Sequence, residues 1–212
     1  MTDVWSGRAD AFRQSEVHRR GADLDLLVSW AEGRTALDVA TGGGHTAQRL
    51  RAAGFSVVTA DPAPGMRPDV ICRAEDLPFA EGSFDTVCCR IAAHHFDDVL
   101  AATREMARVA RGIVLVDDLL FDGDGAEDAH RIRDPSHVRS YRESEWRELF
   151  AAAGLEVEAV ELFERRAIPY EPWLERTDCR GDEAARVTEL LGDRIVDGRV
   201  RMALILIKGR KR

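Results

Sequence analysis

The stretch that most constrains this chain is Ala36-Leu37-Asp38-Val39-Ala40-Thr41-Gly42-Gly43-Gly44-His45-Thr46. An apolar run carrying one carboxylate leads into three glycines, and Ala47, Leu50 and Ala53 follow at helical spacing. This is the pattern of a strand, a tight turn and a helix. Glycine lacks a Cβ, so it tolerates positive φ and lets a ligand approach the backbone. The start of the helix aims unpaired N–H groups at the same place. A nucleotide suits such a turn, and a glycine turn that serves only the fold has the same residues.

The flanking pattern extends this unit into an α/β chain. Helices are predicted over 9–17 and over 23–31, the second closed by Gly33, and strands over 36–40 and 55–60, the latter ending at Asp61. The segment Pro62 to Pro68 is too short and proline-rich for a crossover helix. Further strands are expected at 69–72, 84–89 and 113–116, with a helix over 97–108 between the last two. Residues 121–139 read as irregular and charged, followed by a helix over 144–153 with Ser144 as N-cap and Gly154 at its end. A strand over 156–163, a helical excursion over 171–191 and a last strand over 201–207 complete the pattern, with Asp197-Gly198 as the turn before it. Strands alternating with helices imply an open, mainly parallel sheet with helices on both faces, its final strand antiparallel at the edge.

Length and composition fit one domain: 212 residues, 45% hydrophobic and 32% charged. The net charge of −8 argues against nucleic acid, which needs clustered Lys and Arg, and the basic Gly209-Arg210-Lys211-Arg212 tail reads as a solvated end. Cys72, Cys88, Cys89 and Cys179 lack metal-site spacing and read as reduced, buried thiols, with no metal expected. No apolar run spans a membrane and the start is polar, so a cytoplasmic protein is expected. Trp146, Phe150, Tyr170 and Trp173 could line an aromatic pocket, with core packing the stronger reading for each.

Two ligands compete for the glycine turn. Gly42-x-Gly44-x-x-Ala47 with Asp61 downstream satisfies a dinucleotide fingerprint, which keeps an NAD-dependent oxidoreductase open. Asp38 just before the turn points elsewhere, because a carboxylate there repels a pyrophosphate and suits a ligand ammonium group.

Several motifs carry a resemblance. They are Leu37 to His45; Ala60-Asp61 with Met66; Ala74-Glu75-Asp76-Leu77-Pro78-Phe79; Gly82-Ser83-Phe84-Asp85; and Cys89-Arg90-x-Ala92-Ala93-His94-His95-Phe96. Upstream lies Ser15-x-x-His18-x-x-Gly21-x-Asp23-Leu24, and downstream Arg133-Asp134-Pro135-Ser136-His137-Val138-Arg139 with Glu145-Trp146. In order and spacing the chain resembles class I S-adenosylmethionine-dependent methyltransferases of the ubiquinone/menaquinone-biosynthesis (UbiE-like) type. The resemblance implies a Rossmann-like α/β fold with a seven-stranded sheet and an N-terminal helical lid. It implies one methyltransferase domain over 1–212: lid 1–33, cofactor-binding half 34–118, and substrate-side half 119–212 with a helical insertion at 171–193.

It also implies roles. Asp38 and the turn residues Ala40, Thr41, Gly42 and Gly44 would hold the methionine part of S-adenosylmethionine, and Asp61 the ribose hydroxyls. Met66 would pack on adenine, Ala74 and Glu75 would meet its edge, and Arg90 would lie beside the methionyl end. Ser15, His18 and Gly21 would belong to the lid. Two departures stand out: Arg73 replaces an acidic or amide residue common in relatives, and the helix after Asp61 is nearly absent; Ala40 in place of the first glycine is shared by relatives of this type. S-adenosylhomocysteine would be the product.

Methyl transfer from a sulfonium is an in-line displacement in which positioning and desolvation do most of the work, and where a base is needed histidine suits neutral pH. His94 and His95 follow the fourth strand at the edge where such sheets bind ligands, so one of them is expected to line the acceptor pocket, with His137 and Asp117 as further candidates. The acceptor is expected to be a small molecule, with a homodimer left open. A protein that keeps the fold and binds the cofactor without transferring its methyl group is the remaining alternative.

Overall fold

The computed structural model describes residues 4–211; Met1 to Asp3 of the expected lid and Arg212 of the basic tail lie outside them. Helices α1 (Val4–Arg13), α2 (Glu16–Arg19) and α3 (Ala22–Trp30) precede β1 (Thr35–Val39), so the helix expected over 9–17 starts earlier and breaks at Gln14-Ser15. The chain continues through α4 (His45–Ala52), β2 (Ser56–Asp61), a 3₁₀ turn Pro64–Met66, β3 (Val70–Ile71), β4 (Phe84–Arg90), α5 (Val99–Val109) and β5 (Ala110–Leu119). Then come α6 (Asp124–Arg133), α7 (Glu143–Ala152), β6 (Leu155–Pro169), α8 (Tyr170–Glu175), α9 (Gly181–Leu191), β7 (Ile195–Val196) and β8 (Arg199–Lys211).

The main path of the sheet runs β3-β2-β1-β4-β5-β8-β6, and the short β7 adds an eighth strand against β8. Strands β3 to β5 pair in parallel, whereas β8 is antiparallel to both β5 and β6. The antiparallel strand is therefore inside the sheet and β6 forms the edge. Arg210 and Lys211 are strand residues rather than a solvated tail. Arg210 pairs with Glu32 and Glu158, which lets a charged end finish a central strand.

Strand alternation divides the core between the two faces. Leu37, Val39, Val87, Cys89, Val114 and Val116 pack with Ala102 and Met106 of α5 and with Trp146 and Phe150 of α7. Ala36, Cys88, Ile113 and Leu115 pack with Leu27 of α3 and Ala47 and Leu50 of α4. A third cluster joins α6, α8 and α9 to β8 through Ala129, Trp173, Leu174, Val187, Leu191 and Met202. The four aromatic candidates thus serve the core, and all four cysteines are free, three of them buried.

Three expectations about the helices are corrected. Residues 124–133, read as irregular, form α6: Asp124 and Glu127 occupy its first turn and His130, Arg131 and Arg133 its last, an order that suits the helix dipole. Helix α7 starts one residue before the expected cap. Arg142 sits at its N-cap, and the Glu145 carboxylate accepts the Arg142 N–H at 2.8 Å in place of a Ser144 cap. The excursion over 171–191 is two helices, broken between Glu175 and Gly181. Among the described residues no helix is long and apolar enough to cross a membrane.

The turn after β1 is held from below by Asp38, which is 1% exposed. Its Oδ2 accepts the Thr41 hydroxyl at 2.6 Å and the Ala47 N–H at 3.1 Å, so one carboxylate ties strand, turn and helix start together. Burial pushes its pKa up to about 6 against those hydrogen bonds. The folded pKa lies above the unfolded value near 3.9, so the protonated form contributes stability below pH 4 that is lost as pH rises through 6. Asp38→Asn should therefore gain on the native protein by at most about 3 kcal/mol between pH 4 and pH 7, read from urea midpoints across that range. Gly209 of β8 offers a second check: a Cβ there would meet Phe150 Cδ1 at 2.5 Å. Because that ring is fully buried, Gly209→Ala should cost about 1–3 kcal/mol in the same assay.

Candidate active site

The carboxyl ends of β1, β2 and β4 converge on a cavity of about 730 Å³. This is where open α/β sheets place their ligands. At the β1 end, Ala40 (φ 53°) and Gly42 (φ 51°) both take the left-handed conformation. Ala40 does so without a glycine's freedom, which explains why glycine is the commoner residue at such a position. Thr41, Gly42 and Gly43 line the cavity.

Asp61 closes the turn from β2. Its Oδ2 accepts the Gly42 N–H and its Oδ1 the Ala63 N–H, each at 2.9 Å. A carboxylate offers about four acceptor positions, more than these two amides use, so the group is pre-oriented and still suited to a diol. Met66, Ala74 and Glu75 line the same cavity. Arg73 is drawn to Glu75 at 3.0 Å and Asp97 at 2.7 Å.

Arg90, at the end of β4, is held by carboxylates on both sides. Its Nε donates to Asp117 Oδ2 at 2.9 Å, its guanidinium pairs with Asp23 of α3, and Nη1 donates to the His18 carbonyl at 2.9 Å. Ile91 follows at φ 51°, a conformation that a β-branched residue adopts only under strain; its N–H donates to the Asp117 carbonyl at 2.6 Å.

The N-terminal segment roofs the cavity. Trp5, Arg8, Phe12 and His18 line it. Arg13 donates to the Gly65 carbonyl at 2.8 Å, and the Ser6 hydroxyl accepts the Gly65 N–H at 2.7 Å. His45, at the first position of α4, donates from Nε2 to the Phe12 carbonyl at 2.9 Å. The roof touches the glycine turn itself, since a Cβ on Gly43 would lie 2.7 Å from the Phe12 oxygen.

Histidines occupy the far end. His95 and His137 line the cavity, with ring centroids 6.3 Å apart. His94 lies behind them, its Nδ1 2.5 Å from Asp118 Oδ1 and its backbone N–H on Asp118 Oδ2. Burial holds His94, His95, His130 and His137 below the usual imidazole value, and it pushes Asp118 up to about 7. The four imidazoles are therefore neutral at physiological pH.

The expected residues divide accordingly. Ala40, Thr41, Gly42, Asp61, Met66, Ala74, Glu75, Arg90, His18, His95 and His137 share the cavity wall. Asp38, Gly44, Ser15, Gly21, His94 and Asp117 are not on it. Asp38 faces the start of α4, where its carboxylate holds Thr41 and the Ala47 N–H. Ser15 orients His18 through a 2.7 Å contact, and Asp117 is committed to Arg90. Residues that sequence reasoning did not assign are Trp5, Arg8 and Phe12 of the roof, His45, and the partners Asp118, Glu127, Asp134 and Ser136. Of these, His45, Asp134 and Ser136 carried a signal, as members of motifs that gave them no role.

A family profile described as a methyltransferase domain matches residues 37–114. The uncharacterized methyltransferase YcgJ of Bacillus subtilis is 32% identical over 208 residues, covering 86% of this chain and 82% of that protein. The crystal structure of YcgJ superposes with a TM-score of 0.79 at 30% identity over 90% of this chain and 98% of that one. A putative methyltransferase from Bacillus halodurans gives a TM-score of 0.77 at 28% identity, covering 90% and 99%. A demethylmenaquinone methyltransferase of Beutenbergia cavernae is 37% identical over 102 residues, only 43% of this chain and 42% of that protein. Fold, site and relatives agree, and the chain belongs to the class I S-adenosylmethionine-dependent methyltransferase family.

Proposed function

We propose that this protein transfers a methyl group from S-adenosylmethionine to a small-molecule acceptor enclosed under its N-terminal roof. The observation that carries the reading is one continuous cavity joining the glycine turn, Asp61 and Met66 at one end to His95 and His137 at the other. Its volume of about 730 Å³ lies in the range of pockets that enclose drug-sized ligands, and a net charge of −8 disfavours a nucleic-acid acceptor.

The cofactor supplies a methyl group activated by its sulfonium charge. Asp61 would take the ribose hydroxyls, with its orientation fixed beforehand by two backbone amides. Met66 would cover adenine, the backbone of Ala74 and Glu75 would meet its edge, and residues 40–44 would carry the amino-acid end beside Arg90. Asp38 acts one step back, by holding that turn. Segment 1–33 serves as the lid, 34–118 as the cofactor half and 119–212 as the acceptor half. Catalysis then rests on alignment and exclusion of water, with His95 the side chain best placed to receive a proton from the acceptor. The reduced thiols support a cytoplasmic location.

Purified protein should retain S-adenosylmethionine or S-adenosylhomocysteine, identifiable by mass, and its unfolding temperature should rise with S-adenosylhomocysteine and not with NAD. A shift with NAD alone would end the proposal. Gly43→Ala should push the Phe12 segment off the turn, weakening S-adenosylhomocysteine binding at least tenfold in titration calorimetry. The ligand-free unfolding temperature should change little.

A further inference from the structure

The acceptor end of the cavity has fixed hydrogen-bond polarity. His95 Nδ1 lies 3.0 Å from the Ser136 carbonyl oxygen, and a carbonyl only accepts, so Nδ1 carries the proton. The Ser136 hydroxyl lies 3.2 Å from the same nitrogen and donates its own hydrogen to Asp134 Oδ1 at 2.7 Å, so it too faces His95 as an acceptor. Arg8 of the roof reaches the same Asp134 oxygen at 3.3 Å. The Ser136–Asp134 pair therefore holds His95 in one tautomer.

His137 is set the opposite way round. Its Nε2 lies 3.1 Å from Glu127 Oε1. That oxygen also accepts the Ser140 N–H at 3.0 Å and an Arg131 N–H at 3.3 Å. An oxygen receiving those donors is an acceptor toward His137 as well, so Nε2 carries the imidazole proton. Burial keeps both rings neutral, and each then retains one lone pair: Nε2 of His95 and Nδ1 of His137. Both residues line the cavity, and among the described residues no hydrogen bond takes up either nitrogen.

Two lone pairs on the wall of one cavity ask for two donors. The walls around them are aromatic and flat: Trp5 stands edge-on to His95 with centroids 4.7 Å apart, and Phe12, Phe96 and Val138 line the same space. A protonated amine would need a carboxylate, yet of the wall acids Asp134, Glu75 and Asp97 are each paired with an arginine, and Asp61 holds two backbone amides at the glycine turn. We infer that the acceptor is an aromatic compound presenting two hydroxyl groups, one to His95 Nε2 and one to His137 Nδ1, and that methylation takes place on oxygen. This deepens the methyl-transfer proposal and rests on it. In the step the acceptor oxygen forms the new O–C bond as the S–C bond breaks with its electron pair left on sulfur; the hydroxyl proton goes to His95 Nε2 and from there to water.

The test is titration calorimetry on protein saturated with S-adenosylhomocysteine, using 2,3-dihydroxynaphthalene, its monomethyl ether and its dimethyl ether. The diol should bind at least tenfold more tightly than the dimethyl ether, with the monomethyl ether between them. His95→Gln and His137→Gln should each shrink that gap. Independently of any variant, long-range ¹H–¹⁵N correlation on the native protein should show Nδ1–H for His95 and Nε2–H for His137. Equal affinity across the series, no binding of the diol, or the reverse tautomer at either ring overturns the inference. Failure of S-adenosylhomocysteine itself to bind would instead overturn the methyl-transfer reading.

Discussion

The buried charge of Arg90 is the interaction on which the rest of the site depends. A guanidinium this deep is tolerable only with carboxylates on it, and here they come from Asp23 at the start of α3 and Asp117 at the end of β5. A third contact, to the His18 carbonyl, brings in α2. One side chain therefore ties two neighbouring strand ends to the N-terminal segment, and removing one partner from such a group typically costs about 3–5 kcal/mol. The strained backbone at Ile91 follows directly and is braced by the Asp117 carbonyl. Rigid strand ends below and a docked roof above are two results of the same ion-pair network.

Alternation along the strands explains how neighbouring residues receive different tasks. Asp117 and Asp118 are adjacent, so their side chains leave opposite faces of the sheet. Asp117 joins Arg90 on the α3 side, and Asp118 joins His94 on the other. The same rule accounts for Asp38. It shares the face of Ala36 and Cys88, the α4 face, and so reaches the helix start rather than the ligand space.

Much of this was legible in the sequence because it depends on local chemistry. The glycine turn, Asp61 after the next strand and the short proline-rich link to Met66 follow from backbone conformation and strand length. What was not legible depends on contacts distant in the chain. The basic residues near 210 read as solvent-facing until Glu32 and Glu158 are found beside Arg210. His94 and His95 could not be separated in the sequence, because a 3₁₀ turn over Ala93–His95 sends one behind the wall and leaves the other on it. The roles of Asp134, Ser136 and Glu127 appear only once α6 is known to be a helix that brings them under the histidines.

The place of β8 in the sheet bears on how the protein is made. Strand β6, residues 155–169, pairs within the sheet only with β8, residues 199–211. During synthesis β6 thus emerges with no neighbour to accept it and must wait while two helices and the strand that will flank it are translated. Strands β1 to β5 can pair with one another before β6 is made, β1 with β2 and β4, β2 with β3, and β4 with β5. Vectorial synthesis, which lets earlier segments organise first, would then assemble the parallel part of the sheet on the ribosome. The antiparallel part would join it last, when one late strand zips into the gap between β5 and β6.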